Sequence, residues 1–516
     1  MMTRSDQSGG SRADDLNRPG FTLPEAAEPG RAAVVGSGPN GLTAAALLAR
    51  AGWEVDVYEA HALPGGASAS GDTLGAGTTV DLGAAGHPFG AVSPAFHELR
   101  LSEHGLRWRH PPVVLGHPLE GGEAALLYRD LERTAEGLGE DQTAWRAWHA
   151  PVVQDPYGTA LNVLGPLARA WPRPLGMVRF GLRAPWSATV AARAAFRTDQ
   201  ARALFTGSAV HAILPPGRPL TAAFGTLFGG LGMSTGWPVA EGGSGAIVAA
   251  LLSVLTAHGG RVHLGHRVTD LRELSSADLV LLDTTPAQAV ALAGDLMPTP
   301  VRAPLSRWRH GSGVSKVDFL LSEPVPWRDE RLRGAGTVHV GGTAEHLSRA
   351  EADALAGRMP ERPFVMVCQQ QAADPSRAVA EAAGHTVLWT YAHVPLGYAG
   401  AVRARIEEQI ERFAPGFRDT VVRAVETRPA QLEQWNPNLV GGDIAGGSMA
   451  GLQLAARPRP ALRPHRLVRP QAGRPGVYLA SASTAPGAGV HGMAGAWAVR
   501  TALADLHAGR ATTPGR

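Results

Sequence analysis

Cysteine is nearly absent from this chain. Cys368 stands alone among 516 residues, which excludes an internal disulfide and any cysteine-based metal cluster. It sits in the apolar run Phe364-Val365-Met366-Val367-Cys368, where a buried structural thiol is the expected state. Lysine is as scarce, for of 48 basic residues only Lys316 is a lysine. Arginine used almost everywhere reflects coding bias, so the surviving lysine hints at a site where guanidinium does not fit. No stretch approaches the roughly 20 apolar residues that a spanning helix needs. Met1 to Gly30 is polar and lacks the apolar core of a secretory signal. Residues 1–29 therefore read as a disordered tail, and the expected location is cytoplasmic. The formal charge is only +3, and no basic tract carries interleaved aromatics, so nucleic acid is not an expected partner. A G-x-S-x-G elbow, a Ser-His-Asp set and paired carboxylates are all missing, which leaves hydrolase chemistry without support. His263 and His266 form H-x-x-H on a strand, which turns them to opposite faces, so no metal is expected there.

What is present is a folded globular composition, with 44% hydrophobic and 18% charged residues. The length implies two intertwined domains. Near the start, the apolar run Arg31-Ala32-Ala33-Val34-Val35 suits a buried parallel strand. It leads into Gly36-Ser37-Gly38-Pro39-Asn40-Gly41, a G-x-G-x-x-G turn, then a helical stretch to Arg50 and a second strand, Glu54 to Tyr58. Gly36 permits the tight turn, Gly38 lets backbone approach a pyrophosphate, and Gly41 lets helix pack on strand. The helix N-terminus offers N–H groups and a positive dipole end to phosphates. Glu59 follows Gly36 by 23 residues, where an acid accepts both ribose hydroxyls and repels a 2′-phosphate. A second glycine pair stands in Leu63-Pro64-Gly65-Gly66-Ala67-Ser68. NAD has no need of it, whereas the longer FAD runs past the sheet toward its ring. Ala60, Gly65, Gly66 and Ala67 are therefore cofactor-binding candidates together with Gly36, Gly38, Pro39, Asn40, Gly41 and Glu59.

With three further blocks, the chain resembles the phytoene desaturase-like branch of the FAD-dependent amine oxidase superfamily from about Arg31 to Leu506. The first block is Gly236-Trp237-Pro238-Val239-Ala240-Glu241-Gly242-Gly243-Ser244 with the later Gly260 to Val268. The second is Trp435 to Ile444. The third is Gly476 to Ser483 followed by Pro486 to Gly495. The resemblance implies an α/β fold, with a discontinuous Rossmann-like FAD-binding domain (30–98, 236–300 and 430–508) and an inserted α+β substrate domain (99–235 and 301–429). It implies that Val268 meets the adenine through its backbone. It also implies that Ser483, Gly489, Val490, His491 and Met493 lie beneath the isoalloxazine. Two departures stand out. Ala67 and Ser68 replace an arginine common after the glycine pair, and Ala480-Ser481-Ala482 replaces a Gly-Asp.

Flavin dehydrogenation needs a C–H bond held near N5 with water excluded. His491 is the first catalytic candidate, either exchanging a proton at the flavin edge or only bonding the turn. His87 either faces the ring or serves its loop. Lys316 corresponds loosely to a lysine that reaches flavin N5 through water in amine oxidases, while Asp318 two residues on favours a plain ion pair. Alternation in Leu388 to Val394 puts Trp389, Tyr391 and His393 on one face, as candidate substrate contacts or as core.

The expected reaction is dehydrogenation of an apolar or polycyclic small molecule, with dioxygen or a quinone reoxidising the flavin. A saturase working in reverse, or a non-redox binding protein of the GDP-dissociation-inhibitor fold, are the alternatives. Finally, 142–197 carries Trp145, Trp148, Trp171 and Trp186 with seven arginines against one acid, Asp155. It reads either as a peripheral membrane contact or as a cap whose aromatics form core.

Overall fold

The computed structural model describes residues 21–24, 28–378, 382 and 384–511. Two sheets organise it. The first has six strands, in the order Arg466–Val468, Gly476–Leu479, Leu279–Leu282, Arg31–Val35, Glu54–Tyr58 and Arg261–His263. All neighbours pair parallel except the outermost, Arg466–Val468 against Gly476–Leu479. Parallel strands need crossovers, and those helices bury both faces. That explains why Leu279-Val280-Leu281-Leu282 is apolar throughout rather than alternating.

Successive residues of these strands go to opposite layers. Val34, Leu279 and Leu281 join a core with the helices Pro39–Arg50, Gly245–Ala257 and Met493–Ala511. Ala33, Val35, Val280 and Leu282 join a second core beneath the helix Pro286–Ala293. The helix Pro39–Arg50 starts on a proline, whose missing N–H costs nothing in the first turn. It stops at Gly52, whose φ of +88° is a left-handed conformation suited to glycine.

The second sheet has seven strands drawn from 113–127 and 313–427, in the order Val421–Thr427, Gly313–Leu321, Thr386–Val394, Val365–Cys368, Ala335–Val340, Val113–His117 and Ala125–Leu127. It is antiparallel except where Ala335–Val340 runs beside Val113–His117. One face packs on the helix Arg403–Glu411 through Ile406 and Ile410. The other presents Val314, Met366, Trp389 and Tyr391 toward the first sheet. Helices between 142 and 232 roof this space, with Trp145 wholly buried and Phe205 and Phe228 in the same core.

Most of the tail expected at 1–29 lies outside the described residues. Within it, Phe21 departs from a loose tail, for it is buried with its ring edge-on to Trp497 at 5.2 Å. An apolar ring next to a partly buried indole is better packed than hydrated. Among the described residues, no helix is long and apolar enough to cross a membrane.

Candidate active site

The carboxyl ends of the parallel strands open into one cavity of about 960 Å³ that continues beneath the second sheet. Its near end is the glycine turn. Gly36 has φ +99°, and a Cβ there would stand 2.8 Å from the Asp283 carbonyl. A Cβ on Gly38 would stand 2.7 Å from Asp283 Oδ2. A Cβ on Gly41 would come within 2.2 Å of the Gly36 carbonyl, so the helix can sit this close only as glycine. Gly36, Gly38, Pro39, Asn40, Glu59, Ala60, Gly66 and Ala67 all line the cavity, as do Val268, Ser483, Gly489 and Val490.

Glu59 closes the turn. Its Oε2 accepts from the Ser37 N–H at 2.9 Å and the Ser37 hydroxyl at 2.7 Å, while Oε1 accepts from the His61 N–H at 2.8 Å. Oε1 keeps a lone pair, so the carboxylate, which lines the crevice, can still accept there. The turn also holds a buried acid that the sequence reading passed over. Asp283 ends the strand Leu279–Leu282 as Glu59 follows Tyr58, and its Oδ2 accepts from the Gly41 N–H at 2.9 Å. Burial, with the Glu59 charge as a smaller contribution, pushes its carboxyl up to about 7. The terminal acid after an apolar strand was the available signal.

Five candidates stand behind the cavity wall rather than on it. Gly41 gives its N–H to Asp283, and Gly65 gives its own to the Ser37 carbonyl at 3.1 Å. His491, expected at the flavin edge, is fully buried and turned away, with Nδ1 accepting from the Met493 N–H at 3.0 Å. It thus caps the C-terminal helix, and Met493 packs in the core. The reason is steric, because Gly492 and Gly495 let that helix press on Thr43 and Asn40, which draws the preceding turn inward. His393 does share a face with Trp389 and Tyr391, stacking on Tyr391 at 5.3 Å. It is nevertheless held behind that ring by Glu351 Oε1 at 2.7 Å from Nδ1.

The far end of the cavity is aromatic. Trp389, Tyr391, Trp237, Phe228 and Phe89 line it with Met366 and Val314. Trp389 donates Nε1–H to the Asp81 carbonyl at 2.9 Å. His87 lines the same space, with Nε2 2.8 Å from Ser244 Oγ. Because the Ser244 hydroxyl donates to the Ala84 carbonyl at 2.6 Å, His87 must be the donor to Ser244. Its Nδ1 is then a bare acceptor, buried without a partner. Burial pushes His87 down to about 4, so the ring is neutral.

His211, which the sequence reading missed, also lines the cavity and is pushed down to about 3 by burial and by His393. Lys316 lines the cavity as one half of a buried ion pair with Asp318, its ammonium 5.5 Å from the centre of the Trp389 ring. Burial pulls the lysine down and the aspartate up, each toward its neutral form. The inner chamber is therefore apolar, ringed and without net charge. Among the described residues, no cluster of three or more His, Cys, Asp or Glu could hold a metal.

Beneath the chamber Asp81 joins the two sheets. It is fully buried, accepts from Arg377 Nη1 at 2.8 Å and from the Ser244 N–H at 2.7 Å, and lies beside Ser70. Despite its desolvation the carboxyl is held below its usual range by Arg377 and these donors. Arg377 comes from an irregular segment almost 300 positions away, which no local pattern exposes.

A dinucleotide turn at the carboxyl edge of a parallel sheet, opening on an aromatic chamber under an antiparallel sheet, defines a flavoenzyme-type oxidoreductase. Residues 34–99 match the NAD(P)-binding Rossmann-like domain family. The rat pyridine nucleotide-disulfide oxidoreductase domain-containing protein 2 is 25% identical over 92% of this chain and 93% of its own. Hydroxyneurosporene desaturase of Rhodobacter capsulatus is 29% identical over 92% of this chain and 97% of its own. The structure of cyclohexylamine oxidase from Brevibacterium oxydans superposes with a TM-score of 0.55 at 16% identity, covering 95% of this chain and all of that one. Along nearly its whole length the chain is therefore similar to a desaturase and shares the fold of an amine oxidase, and it is an oxidoreductase.

Proposed function

We infer that the cavity holds one FAD and that the enzyme dehydrogenates an apolar or polycyclic small molecule at a carbon–carbon bond. The observation that carries this is the continuity of one cavity from the Gly36–Asn40 turn to the chamber of Trp237, Trp389 and Tyr391. The lining fits the cofactor. Glycines leave the peptide edge bare where a diphosphate would lie, the helix N-terminus faces it, and Asn40 Oδ1 is buried without a partner. Gly36, Gly38, Asn40 and Glu59 would hold the nucleotide, Gly66 and Ala67 the middle, and Ser483, Gly489 and Val490 the ring end. When bound, FAD supplies a two-electron acceptor for hydride.

The chain's own residues would orient the substrate and keep it dry. Trp389, Tyr391, Trp237 and Phe228 form a slot for a flat or unsaturated skeleton. His87 and His211 are the neutral imidazoles that line that slot. Lys316 is neutralised by Asp318 and does not select for an anion. The likeness to hydroxyneurosporene desaturase supports a carbon–carbon bond over an amine. Dioxygen or a quinone would reoxidise the enzyme.

The test is spectroscopic. Purified protein should be yellow, with about one FAD per chain, and should bleach anaerobically when mixed with polyenes or polycyclic alkanes and alkenes. Well-folded protein that takes up no FAD overturns the reading. Bleaching by primary amines alone would move the substrate class to amines.

A further inference from the structure

We propose that the segment 167–190 docks on an anionic lipid bilayer. The inference does not rest on the proposed reaction. From Pro156 to Thr198 the sequence contains no Asp or Glu, yet it carries Arg169, Arg173, Arg179, Arg183, Arg193 and Arg197. The structure separates the two readings of this arginine- and tryptophan-rich region. Trp145 is core, and Trp148 is partly buried against Phe205 at 5.5 Å. Trp171 and Trp186 are 40% and 56% exposed.

Between those two tryptophans lies the helix Pro174–Gly181. Leu175, Val178 and, just past the helix, Leu182 follow an i, i+3, i+7 spacing that lines one face. They are 75%, 54% and 69% exposed, whereas Phe180, off that stripe, is buried. Seven of the thirteen exposed large hydrophobics among the described residues fall between Leu167 and Val190. So much apolar surface in one short segment needs a cover.

The charges say which cover. Arg179 is exposed and makes no ion pair among the described residues. Arg183 bonds only carbonyls, of Arg179 and Ala147, and Arg169 likewise bonds the Leu161 carbonyl. Arg173, Arg193 and Arg197 are paired with Asp155, Glu345 and Glu140, but an apolar stripe flanked by the unpaired Arg169, Arg179 and Arg183 complements lipid headgroups above acyl chains. The indoles are prepared for it. Trp171 gives Nε1–H to the Leu167 carbonyl at 3.2 Å and Trp186 gives its own to the Leu182 carbonyl at 3.1 Å. Neither ring must surrender a hydrogen bond to water on entering an apolar layer.

The surface is also tied to the chamber. The Trp186 carbonyl accepts from the Ala222 N–H at 3.1 Å, at the start of the helix whose Phe224 and Phe228 wall the cavity.

The test is sedimentation of the flavin-loaded full chain with sucrose-filled vesicles of phosphatidylcholine, with or without about one third phosphatidylglycerol. Binding to the anionic vesicles is expected to exceed binding to neutral ones at least tenfold and to fall with added salt. The triple variant Leu175→Ser, Val178→Ser, Leu182→Ser should lose at least tenfold in partitioning, and Arg179→Glu should lose several-fold on anionic vesicles alone. Both should keep the flavin spectrum and melting temperature, since all four side chains are exposed. No preference of the wild type for anionic vesicles overturns the proposal, as does equal partitioning of the triple variant. So does a wild-type dimer in solution that the triple variant turns into monomer, which would assign the stripe to a second copy. None of these outcomes touches the flavin reading, whose own failure would show as colourless protein.

Discussion

A single carboxyl group governs the nucleotide end of the cavity. Asp283 belongs to the same turn as Gly36, Gly38 and Gly41, and burial raises it to about 7. For a group whose folded pKa is raised, the unfolded chain releases its proton first as pH climbs. The carboxyl's stabilising contribution is complete below about 4 and disappears as pH rises toward 7. Asp283→Asn retains an oxygen to accept from the Gly41 N–H at the same position. The variant is therefore expected to melt higher than the parent at pH 8, by roughly 2–4 kcal/mol, with the difference vanishing near pH 4. Paired denaturant melts of the apo proteins at the two pH values measure it. A parent more stable than Asp283→Asn at pH 8 would mean that the charge is needed rather than tolerated.

Among the elements, the strand–turn–helix at Arg31–Arg50 was legible because everything it needs lies within 20 consecutive residues. Gly36, Gly38, Gly41 and Glu59 were readable from spacing, since turn, helix and second strand impose local geometry. The alternation through Thr386–Val394 correctly put Trp389, Tyr391 and His393 on one face. Which of them reaches the cavity was not legible, because Glu351 holds His393 from another helix. Arg377 and Asp81 met across distant segments that share no periodicity. His491 shows the same limit. A glycine-rich turn before a helix reads as a site, but whether its imidazole faces out depends on how closely two helices cross at Gly495. In the structure it is a cap. His491→Asn, which keeps a short acceptor for the Met493 N–H, should lose about 1 kcal/mol or less. His491→Ala should lose about 2–3 kcal/mol from the missing cap and the space left behind. Both should keep the flavin spectrum and reduce within about threefold of the parent rate, as measured by anaerobic stopped-flow. A hundredfold slower His491→Asn with unchanged melting would restore the catalytic role.

At the scale of the whole molecule, the aromatic chamber and the helical roof bury an unusual number of imidazoles. His87, His117, His149, His465 and His491 are each fully buried and pushed down to about 4 by desolvation. Their partners accept or donate one hydrogen bond to a neutral ring, and none is a carboxylate that would reward a proton. On unfolding each ring regains an ordinary pKa near 6.5. The unfolded chain then binds more protons than the native one between those two values, so stability must rise with pH across that window. Above pH 7 these groups contribute no slope. From about 6.5 down to about 4, each removes up to about 1.4 kcal/mol per pH unit, and all five act in the same direction. Asp283 and Asp318, whose carboxyls burial raises, oppose them with the opposite sign. The melting temperature should therefore be nearly flat from pH 7 to 8 and drop steeply below 6.5. Calorimetry at pH 5 in buffers of different ionisation enthalpy should register uptake of several protons per chain unfolded. A melting temperature independent of pH from 7 to 5 would mean that these rings are charged or wet in the folded protein, and the chamber would then not be the dry, neutral slot that an apolar substrate requires.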